Sequence, residues 1–142
     1  MCNEIITNTS VSEDRRLAVI EDLFGLHFPL TIEPAIYAFA ERLCKDYTGG
    51  YWGFYTLSNG GFYMAPESDE QRHVACDMNY FEGNLSTEAF GITCCLYAYS
   101  HISFSDNQKL SQLCSEQYHL LREYVVSHPK PEEMRQVLMA TD

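Results

Sequence analysis

Basic side chains are scarce in this sequence. Nine Lys and Arg stand against twenty Asp and Glu, leaving 142 residues with a formal net charge of −11. A chain that negative repels phosphate, which argues against a free-standing nucleic-acid binder. A dense acidic array is missing as well. The carboxylates come in short groups: Glu13-Asp14, Glu21-Asp22, Glu67 with Asp69-Glu70, and Glu132-Glu133. A surface that copies duplex DNA needs roughly one charge per 1.7 Å of axis, so a full-length DNA mimic is disfavoured. No run approaches the roughly 18 apolar residues of a membrane span. The opening MCNEIITNTSVSEDRR lacks a basic region followed by an apolar one. The expectation is a cytoplasmic protein, with no membrane association and with reduced thiols.

Chemical motifs are also wanting. The six cysteines, Cys2, Cys44, Cys76, Cys94, Cys95 and Cys114, include no C-x-x-C pair. Adjacent Cys94 and Cys95 diverge by about 100° on a helix. His27, His73, His101, His119 and His128 show no H-E-x-x-H or other paired spacing. Gly49-Gly50 and Gly60-Gly61 are not followed by G-K-[ST] and belong to no G-x-G-x-x-G, so they read as turns. These absences predict no metal, no cofactor and no catalytic residues. One enzymatic alternative stays open: a small thiol-dependent hydrolase pairing Cys95 or Cys114 with His101 or His119, since such a pair is spatial.

What the chain does have is apolar material: 46% hydrophobic and 13% aromatic residues, enough for one core at this length. We expect a flexible tail over 1–11 and a single compact domain over 12–142. The class predicted is α+β, a small antiparallel sheet of a hairpin plus at least one further strand, packed with about five helices. Ser12 precedes Glu13-Asp14 as a helix start, with Leu17, Ile20 and Phe24 at helical spacing as the inward face and Gly25 as the stop. A second helix starts near Thr31–Pro34 and carries Ile36, Phe39, Ala40 and Leu43.

Tyr51–Leu57 and Phe62–Ala65 read as strands of a hairpin turning at Asn59-Gly60. That turn sets Leu57 opposite Phe62 and Tyr55 opposite Met64 as the core face. Trp52, Phe54, Thr56 and Tyr63 share the other face, which needs partial cover. Arg72–Met78 alternates as a third strand, and Asn79–Leu85 reads as a turn. Ser86 or Thr87 opens a helix to about Ile102, Ser105-Asp106 another up to Pro129, and Pro131 a last one to about Met139.

Two features are candidates for a partner contact. Aromatics of the second sheet face, Trp52 and Tyr63, are the expected anchors. The acidic loop at Asp69 and Glu70 follows the hairpin, where no helix start explains it, and would suit a basic partner.

The stretch from Gly49 to Pro66, GGYWGFYTLSNGGFYMAP, resembles the hallmark segment of the ArdB/KlcA antirestriction family. Further similarity lies at Arg15-Arg16-Leu17 with Leu23-Phe24-Gly25, and at Ala89-Phe90-Gly91-Ile92 with Leu96-Tyr97-Ala98-Tyr99-Ser100. The resemblance covers essentially the whole chain after the tail. It implies a small bacterial protein of plasmids and other mobile elements, with an α/β fold of its own. That protein would inhibit type I restriction–modification systems and so protect incoming DNA. The family is not known as enzymes and is distinct from the elongated acidic DNA mimics. The partner implied is the type I restriction–modification enzyme or its associated machinery, without strong direct DNA binding. An acidic competitor of DNA remains the alternative within the binding class.

Overall fold

The computed structural model describes residues 5–47, 49–68, 70–76 and 80–141. In chain order these form β1 (Asn8–Ser10), α1 (Arg16–Leu23), α2 (Glu33–Leu43), β2 (Trp52–Leu57), β3 (Phe62–Pro66), β4 (Arg72–Cys76), β5 (Phe81–Leu85), α3 (Thr87–Ile102), α4 (Gln108–Val126) and α5 (Pro131–Thr141). A 3-10 turn (Glu13–Arg15) leads into α1 and a π turn (Phe28–Ile32) into α2. The strands make two antiparallel sheets, β1-β2-β3 and β4-β5. The α+β class and the five helices agree with the sequence reading.

Several local expectations change. The segment expected to be a loose tail supplies β1: Asn8, Thr9 and Ser10 pair with Leu57, Thr56 and Tyr55. The polar side chains of β1 suit an exposed edge strand. The hairpin turn is longer than an Asn-Gly type I′ turn. Leu57 N–H donates to Gly61 O at 2.9 Å and Gly60 N–H to Leu57 O at 3.0 Å, so Ser58-Asn59-Gly60 forms a three-residue loop. Gly60 takes the left-handed position at φ +94°. The Asn59 side chain accepts from Gly61 N–H and donates to Leu120 O.

The extra loop residue moves the register by one. Tyr55 now faces Tyr63, Phe54 faces Met64, and Thr56 faces Phe62. In a period-two structure that reassigns the faces. Trp52, Phe54, Phe62 and Met64 lie on one side, and Tyr55, Leu57, Tyr63 and Ala65 on the other. Both sides are covered by the chain itself. Phe24 and Phe28 meet Phe62 edge to face at 5.3 and 5.6 Å. Tyr55, Tyr63 and Tyr124 stack in a row on the second side.

The third predicted strand is observed as β4, with Val74 and Cys76 buried; Asp77, Met78 and Asn79 lie outside the described residues. Its partner β5 was read as a turn, because Gly83-Asn84 inside it looks like turn chemistry. Pairing with β4 overrides that local preference. Ser86 caps α3 by accepting from Ala89 N–H, as expected. The cap of α4 is Asn107, which accepts from Leu110 N–H, and not Ser105-Asp106.

α1 is rotated relative to its apolar count. Leu17, expected inside, is 84% exposed, while Ile20 and Phe24 are buried. The inward position before Ile20 belongs to Arg16. Its guanidinium lies over the Tyr51 and Phe54 rings at 4.6 and 4.3 Å and donates to Trp52 O at 3.0 Å. A flat guanidinium between rings is a favourable buried partner, and no apolar periodicity reveals it.

α3 is buried nearly all round, against α2, α4, α5 and β3. The outward backbone groups of β3 at Phe62 and Met64 meet it. Tyr99 Oη donates to Phe62 O at 2.9 Å, and Cys95 Sγ accepts from Met64 N–H at 3.5 Å. Gly91 permits the approach, since a Cβ there would sit 2.5 Å from Ala65 Cα and against the Met64 carbonyl. Gly91→Ala should therefore destabilise the protein by about 2–4 kcal/mol through overpacking, despite alanine's better helix propensity. Urea denaturation of the variant checks this; a wild-type midpoint would disprove the contact.

Candidate functional site

The described polar side chains gather most densely around Glu88, in the first turn of α3. Glu88 Oε2 accepts from Tyr63 Oη at 2.8 Å (β3), Tyr124 Oη at 3.2 Å (α4) and Asn8 Nδ2 at 3.3 Å (β1). Asn8 Nδ2 also donates to Tyr63 Oη at 2.8 Å. On the other oxygen, His128 Nε2 stands 3.2 Å from Glu88 Oε1. His128 Nδ1 accepts from Lys130 N–H at 3.0 Å, so Nε2 is the nitrogen that donates to Glu88. The His128 side chain is 6% exposed and that of Glu88 30%. Two clefts adjoin the carboxylate, about 300 Å³ beside Ile5–Asn8 and His128–Lys130, and about 230 Å³ beside Tyr55, Tyr63 and Thr87.

This cluster joins four segments distant in sequence, with Tyr124 and His128 together at the end of α4, and its groups satisfy one another. Burial first, and then the Glu88 charge, push the Tyr63 and Tyr124 phenols well up from their ordinary value. They stay protonated near neutral pH and act as hydrogen-bond donors, not as bases. Both nitrogens of His128 are engaged with protein groups. The arrangement ties the ends of the fold together; it does not present a nucleophile and base to a substrate.

The thiols are similarly withdrawn. Cys44, Cys76, Cys94, Cys95 and Cys114 are buried and none is in a disulfide; Cys2 lies outside the described residues. Burial pushes Cys95 and Cys114 up to about 12, far from a reactive thiolate. Cys95 bonds the Met64 backbone, whereas His101 is exposed and edge-on to Phe39. Cys114 is buried while His119 is exposed. Among the described residues no group of three or more His, Cys, Asp or Glu gathers for a metal. No single described helix is long and apolar enough to cross a membrane.

The residues expected to meet a partner fare unequally. Trp52 is 2% exposed and Tyr63 1%, so neither is presented at the surface. Trp52 Nε1 donates to Tyr47 Oη, and its ring packs against Tyr37, Tyr47 and Phe90. Tyr63 belongs to the Glu88 cluster. The register shift and the helical cover put both inside. Glu70 is exposed, its N–H bonded to Ser68 Oγ; Asp69 lies outside the described residues. Asn59 and Gly60 occupy the hairpin turn, which rests on α4 through Leu120 O and Gln117 Nε2. Sequence reasoning passed over Glu88, Tyr124, His128 and Asn8. An acid just after a helix cap reads as dipole stabilisation, and nothing in spacing joins it to residue 8 or 128.

The fold is thus an α+β domain whose central polar groups bond one another and whose described thiols are buried. The chain belongs to the antirestriction protein family, whose model matches residues 45–139. It is 36% identical to the antirestriction protein KlcA of Escherichia coli over 126 residues, 88% of this chain and 89% of that protein. It is also 36% identical to the uncharacterized protein YafX of Escherichia coli K12 over 137 residues, 94% and 88% of the two chains. A solved structure from a study of KlcA and ArdB aligns over 100% of this chain and 99% of its own, with TM-score 0.88 and 33% identity. That study describes a novel fold and antirestriction activity against type I DNA restriction systems in vivo but not in vitro.

The raised phenols make stability depend on alkaline pH. A phenol whose folded value lies above its unfolded value of about 10 holds its proton better when folded, so stability is full below pH 10 and falls above it. Tyr37, pushed up to about 12 chiefly by burial, and Tyr63 and Tyr124 act in the same direction. The urea midpoint should fall steadily between pH 9.5 and pH 12, since the loss begins near pH 10, the unfolded value of about 10 being common to the three, and for Tyr37 runs to about 12 while for Tyr63 and Tyr124 it continues beyond; Tyr63→Phe should flatten that fall. An unchanged midpoint across the window would remove the phenols from the account.

Proposed function

We propose that this protein inhibits bacterial type I restriction–modification and so protects incoming mobile DNA. It does so by a non-catalytic contact with the restriction enzyme or its associated machinery. The observation that carries this reading is the likeness over the whole chain to the KlcA and ArdB structure, at TM-score 0.88. Activity in cells without activity outside them suits an inhibitor that engages an assembly or an additional cellular component. It suits a simple competitor for DNA less well.

The carboxylates support the same choice. Glu82 pairs with His73, Glu88 holds its cluster, and Glu133 accepts from Ser86 Oγ. Acids tied up internally are poor stand-ins for a phosphate ladder, and strong direct DNA binding is not expected. The buried, protonated thiols offer no nucleophile for a hydrolase.

Unmodified phage plated on a type I-restricting host should regain efficiency of plating when this protein is expressed. The double variant Asp69→Asn with Glu70→Gln should keep most of that protection. Loss of protection by the folded double variant would favour carboxylate competition, and no protection by wild type would end the reading. Separately, iodoacetamide at pH 8 should leave Cys95 and Cys114 unlabelled until urea unfolds the chain, as read by peptide mass. Stoichiometric labelling of either thiol in the folded protein would revive the thiol hydrolase.

A further inference from the structure

With Trp52 and Tyr63 inside, exposed apolar surface lies elsewhere. Leu17, Leu26 and Leu30 are 84%, 75% and 73% exposed. Single exposed leucines are ordinary, but several around one hollow mark an interaction site. Leu17 and Leu26 border a cleft of about 410 Å³ with Ile20, Gly25 and Pro29. Leu30 N–H donates to Leu26 O at 3.2 Å, which sets Leu30 one turn beyond Leu26 on the same side. The cleft is preformed. Gly25, at φ +59°, turns the chain out of α1 with its N–H on Ile20 O and Glu21 O.

The rim is acidic. Glu21 stands four after Leu17 on α1 and shares its stripe, and Glu13 and Asp14 lie in the 3-10 turn that leads into α1; all three are exposed. Glu21 also lines the cleft. Arg16 is turned inward onto Tyr51, Phe54 and the Trp52 carbonyl, and the exposed Arg15 is outnumbered by Glu13, Asp14, Glu21 and Asp22, all exposed as well. A second copy would bring the same acids and a further −11 against this rim. An anionic lipid surface is repelled for the same reason. The complementary occupant has an apolar ridge and cationic flanks.

We propose that this cleft docks a basic amphipathic helix of a partner protein, with apolar side chains on one face and Lys or Arg beside them. The inference deepens the antirestriction reading and rests on it for the partner's identity, as a segment of the restriction machinery. Leu17 and Leu30 make the apolar contact, and Glu13, Asp14 and Glu21 set the polarity of the partner.

The probe is a fluorescent Leu/Lys amphipathic peptide of about five helical turns, with a Leu/Glu peptide of the same pattern as control. The whole protein should bind the Leu/Lys peptide and not the Leu/Glu one. Leu17→Ser with Leu30→Ser leaves every charge in place and should weaken binding about tenfold at an unchanged melting temperature. Glu13→Gln with Glu21→Gln should weaken it too and reduce its salt dependence. A leucine double variant that binds like wild type would overturn the proposal. So would a photo-crosslinker at Leu26 that captures a second copy in the restricting host, or wild type that sediments with phosphatidylserine vesicles. The crosslinker should instead capture a restriction-machinery segment rich in Leu, Lys and Arg. In the plating assay the leucine double variant should lose protection; full protection by it would remove the cleft as the contact while leaving the antirestriction reading intact. No protection by wild type, with peptide binding as expected, would remove that reading and leave the docking cleft standing.

Discussion

A helix closes this sheet where another strand would be expected. β3 is the edge strand opposite β1, and its outward N–H and C=O groups at Phe62 and Met64 need partners once buried. α3 supplies them from its own side chains. The Tyr99 hydroxyl reaches the Phe62 carbonyl and the Cys95 sulfur meets the Met64 backbone. Gly91 removes the side chain that would hold the helix away. Because α3 also packs on α2, α4 and α5, the edge contact fixes the position of most of the molecule. It also keeps an aromatic edge strand from pairing with another chain.

Aromatic residues follow from that arrangement. A three-stranded sheet is thin, and both of its faces must be covered for it to be stable. Phe24 and Phe28 cover one face with Phe54 and Phe62, and Tyr124 extends the tyrosine row on the other. The hallmark segment is thus a core segment. Its conspicuous rings hold strands to helices, while a side chain that a hydrophobic count places inside, Leu17, stands at the surface.

Charge divides in the same way. Glu88 is surrounded by donors from β1, β3, α4 and the segment after α4, and it locks the beginning of the chain to its end. The acids before and along α1 remain at the surface beside exposed leucines, Glu13 accepting there from Tyr51 Oη. Arg16 and Leu17 exchange the places their chemistry suggests: the cation packs among rings while the leucine faces water. That exchange gives α1 an outer surface that is apolar at its centre and negative at its margins.

The class of fold and the order of the later elements were legible from local signals. Periodicity, Ser86, Pro66, Pro129 and the Gly60 turn mark where elements begin and end, because caps and breakers act over a few residues. The family resemblance came from the same hairpin and helix segments. What stayed hidden depends on contacts between distant positions. β1 and β5 exist because β2 and β4 pair with them, against weak or turn-like local preference. One more residue in the hairpin loop moves every side chain of β3 to the other face relative to β2, and sequence alone does not count loop residues that precisely. The Glu88 cluster joins positions 8, 63, 88, 124 and 128. The exposure of Leu17 follows from a guanidinium that finds two rings and a carbonyl. Local chemistry decided the helices and the hairpin; only packing decided the strands β1 and β5, which faces are buried and which stay exposed.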